Sequence, residues 1–186
     1  MRKNVILAAV GAVLAASIGV TIWIVSANQL PENNSAQSIR FFDKQEYRDG
    51  SYTFEWTSNA IGANSKTDIN AMFTCPAQST EVFTFLSLRG QETDPEHGWQ
   101  AFTPTAFNGD TKNVLTPNLK PSGLINGTPG AKYSRDHGGD FSLGLACTHS
   151  GGKTIDSVSY RFINVVAHTG QWTALPEPTI HADSGK

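Results

Sequence analysis

Three short stretches hold the side chains that could do chemistry. "ACTHSGGK", Ala146 to Lys153, places Cys147, His149, Ser150 and Lys153 within a few residues of one another. A thiol or hydroxyl beside an imidazole is the composition of a nucleophile with its base, and Cys with His is equally that of a metal site. "RGQETDPEHGW", Arg89 to Trp99, contributes Glu92, Asp94, Glu96 and His97, an oxygen-rich set whose carboxylates suit Ca²⁺ and whose imidazole suits a transition metal. In "SRDHGGD", Ser134 to Asp140, Asp136 or Asp140 could orient His137 for acid–base work. No metal-loop spacing, G-x-S-x-G elbow or H-E-x-x-H helix accompanies them, and Gly152-Lys153 lacks the spacing of a phosphate-binding loop.

Each stretch also has a purely structural reading. Ser150-Gly151-Gly152-Lys153 has the chemistry of a hairpin turn, and the "TIDSVSYRFINVV" that follows is rich in β-branched and aromatic residues. His149 then lies near the inward end of its strand and caps the sheet. The acidic stretch reads as a solvated loop, and "SRDHGGD" as a turn whose Asp and Gly residues serve the backbone. On this reading no catalytic residue is assigned and no cofactor is expected. A secreted hydrolase built on Asp94, His97, Asp136 and His137 is the rival, and a Ca²⁺-stabilised domain is the third.

The elements that must position these residues read as strands. In "DINAMFTC", Ile69, Ala71, Phe73 and Cys75 share one face; in "DFSLGLAC", Phe141, Leu143, Leu145 and Cys147 do. Both thiols therefore point into apolar faces, and a disulfide between Cys75 and Cys147 is expected to staple two sheets. Closing so long a loop contributes roughly 4 kcal/mol in the chain-entropy model. A bridged Cys147 is not a nucleophile.

Compartment follows from the N-terminus. Arg2 and Lys3 precede "VILAAVGAVLAASIGVTIWIV", Val5 to Val25, which carries no charge and as a helix would cover roughly 30 Å. The basic flank places the N-terminus in the cytoplasm and the rest of the chain outside. Val25-Ser26-Ala27 has the form of a signal-peptidase site, whereas the length of the apolar run and Trp23 at its end favour a retained anchor. The expected layout is a signal peptide or N-terminal transmembrane anchor over 1–27, a flexible stalk over 28–38, an extracytoplasmic β-sandwich over 39–174 and a disordered tail over 175–186. Sequons occur at Asn33 and Asn126.

Turn signals recur along the rest of the chain. "SYTFEWT" alternates Tyr52, Phe54 and Trp56; "EVFTFLSLRG" is apolar on both faces and so central; "WQAFTPTAF" holds a proline, which suits an edge. "IRFFDKQEY" fits an edge strand or a short helix. "KPSGLINGTPGAKYSRDHGG" reads as a long Pro- and Gly-rich connection. With 17 Gly and 9 Pro and no helical period after the N-terminal segment, the chain is expected to be all-β, a sandwich of about seven or eight strands with a barrel as the alternative. A formal net charge of -2 without clustered Lys or Arg argues against nucleic acid as a partner.

"TCPAQSTEVFTFLSLRG", then "GWQAF", then "GGDFSLGLACT" with its hairpin, resembles the immunoglobulin-like sandwich modules of exported and cell-surface bacterial proteins. The resemblance covers roughly residues 65 to 170. It implies display, adhesion or assembly rather than a defined chemistry, and it carries over no functional residue. The expected function is a non-enzymatic protein- or glycan-binding module, or an accessory subunit. Its partners would be membrane proteins, cell-surface proteins or glycans, with the membrane itself engaged through 5–25 if that segment is retained and the domain released if cut after Ala27. Exposed aromatic side chains are the usual contact groups of such modules, and Trp99, Phe102, Phe107 and Trp172 are the candidates.

Overall fold

The computed structural model describes residues 34–114 and 117–176. The signal or anchor region 1–27, the stalk as far as residue 33 and the tail from residue 177 lie outside the described residues. Among the described residues no helix is long and apolar enough to cross a membrane.

The described chain is mostly β, antiparallel, and closed by one disulfide. Its strands in chain order are β1 (Arg40–Asp43), β2 (Glu46–Arg48), β3 (Thr53–Phe54), β4 (Ile61–Ala63), β5 (Phe73–Thr74), β6 (Glu81–Leu88), β7 (Trp99–Thr105) and β8 (Asn113–Val114). After a single 3-10 turn at Pro121–Gly123 come helix α1 (Ala131–His137), β9 (Gly139–His149), β10 (Thr154–Val165) and β11 (Trp172–Ala174). Six strands form a curled sheet in the order β3-β11-β10-β9-β6-β7, three form β2-β1-β4, and β5 pairs with β8.

The longest pairing is the hairpin expected from "ACTHSGGK". β9 and β10 run in register from Thr154 opposite His149 to Val165 opposite Gly139, and Asp156 is the extra residue of a bulge. Ser150, Gly151 and Gly152 turn the chain with φ of 58°, 71° and 78°, a left-handed run that glycine adopts at little cost. β6 lies between β9 and β7 with both faces buried, as its continuous apolar run requires. β7 ends the sheet, where Pro104 gives up no ladder bond.

Alternation along these strands sends side chains to two apolar clusters. Val82, Leu86, Leu143, Leu145, Cys147, Ile163 and Trp172 join Ile39, Phe41, Phe54, Phe73 and Leu119 in the larger one. Phe85, Trp99, Val158, Tyr160 and Phe162 make the smaller. Cys75 and Cys147 are buried and bridged, with Cα atoms 5.6 Å apart. The bridge ties the β5 segment to β9, and a closed disulfide is consistent with an extracellular location.

The described chain differs from the sequence-based expectation in several places. Among the described residues there are eleven strands rather than seven or eight, six of them only two or three residues long. "IRFFDKQEY" is neither a single edge strand nor a helix but the tight hairpin β1–β2. The connection before β9 contains α1, a seven-residue helix started after Gly130 and stopped at Gly138, too short to show a period. The end of the expected stalk is docked: the Ala36 N–H donates to Val158 O at 2.8 Å, and the Tyr160 N–H donates to Ser35 Oγ at 2.9 Å. At the other end the Leu175 N–H donates to Phe162 O, so the first residue of the expected tail still belongs to the sheet.

Candidate functional site

Two clefts meet at Thr57. One, of about 610 Å³, is lined by Asp43, Lys44 and Gln45 from the β1–β2 hairpin, by Tyr52, by Thr57, Ser58 and Asn59, and by Ile61 of β4. The other, of about 460 Å³, is lined by the apolar Trp56, Leu124, Ile125 and Ala131, by Thr57 and Ser122, and by Lys132 and Arg135 of α1. Both volumes lie within the range of roughly 300–1,000 Å³ common for ligand clefts.

Local chain geometry explains how each wall is held. Glu55 and Ser58 close a small turn, the Ser58 N–H donating to Glu55 O and the Glu55 N–H to Ser58 Oγ, each at 3.0 Å. The chain around residue 120 pins that turn from below: the Leu119 N–H donates to Ala60 O at 2.7 Å and the Ser122 N–H to Trp56 O at 3.4 Å. Across the cleft, Phe42 pairs edge-on with Tyr47 between β1 and β2. Lys44 and Gln45 make the two-residue turn between those strands with φ of 49° and 71°. Such a turn normally takes Asn-Gly, and a side chain in this region costs roughly 1–2 kcal/mol per residue.

The polar wall is charged and hydrogen-bonded. Tyr52 Oη donates to Asp43 Oδ2 at 2.6 Å while the Arg48 guanidinium lies 4.5 Å from the Tyr52 ring centre. That hydrogen bond to a carboxylate pushes the phenol above its ordinary pKa. On α1, Lys132 Nζ and Arg135 both bond to Asp136, at 2.6 and 2.8 Å. Those hydrogen bonds, first from Lys132 and then from Arg135, pull the Asp136 carboxyl down to about 2. Two cations thus share one carboxylate, and the wall keeps net positive charge.

No family model, curated protein or solved structure matches this chain. The case for a site rests on its own geometry.

The residues singled out from the sequence fall elsewhere. Trp172 and Trp99 are core side chains, not contact surfaces: Trp172 stacks on Phe54 at 4.2 Å, and Trp99 stacks on Phe85 at 4.8 Å with its indole N–H bonded to Glu92 O. Expected at the surface as exposed aromatic contact groups, they are buried instead by packing against Phe54 and Phe85. Phe102 is half-buried against Phe83 and Trp99, and Phe107 is half-buried beneath Lys112.

Nor does the acidic loop assemble as a metal set. Glu92 turns inward, where its carboxylate accepts from the Gly90 N–H and the Ser142 hydroxyl. Asp94 accepts from the His97 N–H and faces the His97 ring at 3.2 Å, and the backbone bond leads the contacts that hold its carboxyl below the ordinary value. Glu96 lines an open cleft of about 340 Å³ with Thr93, Asp94 and Gly151 to Lys153. Among the described residues no three His, Cys, Asp or Glu side chains come together as a metal group. His137 is not oriented by Asp136 or Asp140. Its Nδ1 lies 3.0 Å from Tyr133 O and its ring stacks on Tyr133, while Asp140 bonds to Arg89 and Asn164.

Two features had no reading from sequence. Asp156, with its side chain 4% exposed, accepts from Ser79 Oγ at 2.8 Å and stands 2.8 Å from His149 Nδ1. Burial raises the Asp156 carboxyl, but the bonds from Ser79 and His149 outweigh it and leave the group below its ordinary value. His149 and Asp156 are seven residues apart and meet only because the hairpin folds back at a bulge. The second feature is the cleft wall itself, where Lys44 and Gln45 carry no turn signal.

Proposed function

We propose that this chain is a non-enzymatic binding module, an exported domain of the immunoglobulin-like β-sandwich class, that serves at the cell surface as a receptor for protein or glycan, or as an accessory subunit. Residues 5–25 hold it to the membrane, or cleavage after Ala27 releases it. The observation that carries the reading is the Lys44-Gln45 turn. Two side-chain-bearing residues are kept in left-handed backbone at the lip of the 610 Å³ cleft, where Asn-Gly would relieve the strain. Strain kept at a cleft wall is the signature of a surface selected for contact rather than stability. Ile125, 79% exposed and lining the adjoining cleft, supports the same reading.

A photo-reactive amino acid at Gln45 or Ile125 of the full chain tests it in the cells that make it. Discrete cross-linked products are expected from both positions and not from Glu96. Equal labelling from Glu96, or none from the clefts, would sink the proposal.

A hydrolase is the second reading, favoured by one observation: a buried carboxylate fixes one nitrogen of the His149 imidazole, as in acid–base dyads. Ser79 donates to Asp156 and not to the imidazole, so that hydroxyl is not aligned on the dyad as a nucleophile. The His149→Ala protein losing turnover on an ester or glycoside panel, while folded, would move the assignment to this reading.

A further inference from the structure

We propose that these two neighbouring clefts take an acidic oligosaccharide, a chain of hydroxyl-rich sugar rings bearing N-acetyl and carboxylate groups. This deepens the binding-module reading and rests on it. In the 610 Å³ cleft the lining is dominated by side chains that hydrogen-bond: Asp43, Gln45, Ser58 and Asn59 beside the half-buried Tyr52. Amides and carboxylates both accept and donate, or accept at several angles, which matches the adjacent hydroxyls of a sugar ring. β4 is a sheet edge, but among the residues lining this cleft Ile61 is the one aliphatic side chain, so the alternate apolar pockets that a strand-adding peptide needs are not there.

The adjoining cleft supplies the other two groups. Its apolar lining of Trp56, Leu124 and Ala131 suits a methyl group such as that of an N-acetyl substituent. Lys132 and Arg135 also line it, with a single carboxylate, Asp136, between them. One positive charge is left over, and Arg135 uses Nε and one terminal nitrogen on Asp136, with its other terminal nitrogen outside that pair. A ligand carboxylate answers that charge. Thr57 lines both clefts, so they are neighbours, and a ligand that reaches from one into the other would be a chain rather than a monosaccharide.

Three probes separate the outcomes on the full chain in detergent: a tetramer of N-acetylglucosamine, a tetrasaccharide of alternating glucuronate and N-acetylglucosamine, and the peptide acetyl-Glu-Leu-Glu-Leu-amide. Titration calorimetry is expected to give the acidic tetrasaccharide at least about fivefold tighter binding than the neutral one at low salt, with the ratio shrinking toward unity as salt rises. Lys132→Gln, at a side chain 80% exposed and so safe for folding, is expected to remove most of that ratio while leaving the neutral sugar within about twofold. Asn59→Ala is expected to weaken both sugars. Equal affinity for the two sugars overturns the acidic assignment. Binding of the peptide alone, lost in Asn59→Ala, overturns the glycan while leaving the binding module standing. No binding of any probe overturns this inference, and cross-linking at Gln45 and Ile125 then decides the broader reading separately.

Discussion

Lys44 and Gln45 show at the scale of single residues how a functional demand and a folding demand pull apart. Their φ values of 49° and 71° cost folding energy that Asn-Gly would avoid. The double replacement Lys44→Asn with Gln45→Gly is therefore expected to raise stability in urea by about 1 kcal/mol or more and to weaken whatever the 610 Å³ cleft binds. A variant that is no more stable would mean that the turn carries no strain. Asp156 gives a second residue-scale prediction. Its folded pKa is below the ordinary 3.8, so its contribution is present above that value and is lost as pH falls through the folded pKa. Asp156→Asn is expected to lower stability at pH 7, and the gap from the parent protein should close toward pH 3. A gap that is constant with pH would show that packing at the bulge, not the charge, is what the substitution removes.

Elements divide into those that sequence alone discloses and those that tertiary contacts create. β6, β9 and β10 were legible because long runs of β-branched and aromatic residues alternate or stay apolar on both faces. Pro104 marked β7 as an edge, and the glycines after Ser150 marked the hairpin turn. The hairpin β1–β2 was not legible, since its turn residues are a lysine and a glutamine. α1 escaped for another reason: of its seven residues only Ala131 and the polar Ser134 are buried, so it has no apolar stripe to read. Lys44, Gln45, Lys132 and Arg135 of the cleft linings belong to these two unreadable elements, and the rest of the linings comes from turns and segment ends that carried no signal for a site. Trp172 illustrates the cost of that misdirection. It is fully buried against Phe41 and Phe54 at the junction of β11 and β3, and Trp172→Ala is expected to destabilise by about 3–5 kcal/mol rather than to spare the fold and impair binding. A variant melting within a few degrees of the parent would return Trp172 to the candidate contact residues.

For the whole molecule, the disulfide decides how the readable and unreadable parts hold together. Cys75 and Cys147 are 72 residues apart; the strand read over residues 68–75 is reduced to Phe73–Thr74, yet both thiols are buried and bridged as expected. Cys75 extends the β5–β8 ladder through the Lys112 carbonyl, and the chain entering it comes directly from β4, whose Ile61 lines the larger cleft. On the other side, Cys147 sits inside the broadest sheet, flanked by β6 and β10. The bond thus fastens a small, short-stranded part to a large, well-paired one. Closing a loop of this length contributes about 4 kcal/mol in the chain-entropy model. That contribution should not be spread evenly. In the Cys75→Ser, Cys147→Ser double variant, amide exchange is expected to accelerate most in β1, β2, β4 and the chain at 117–122, and least in β9 and β10, whose ladder is continuous. Ligand affinity should then fall more than the global melting point implies, because the cleft walls open before the large sheet does. Uniform acceleration across both parts would mean that they unfold as one unit and that the disulfide does not guard the clefts in particular.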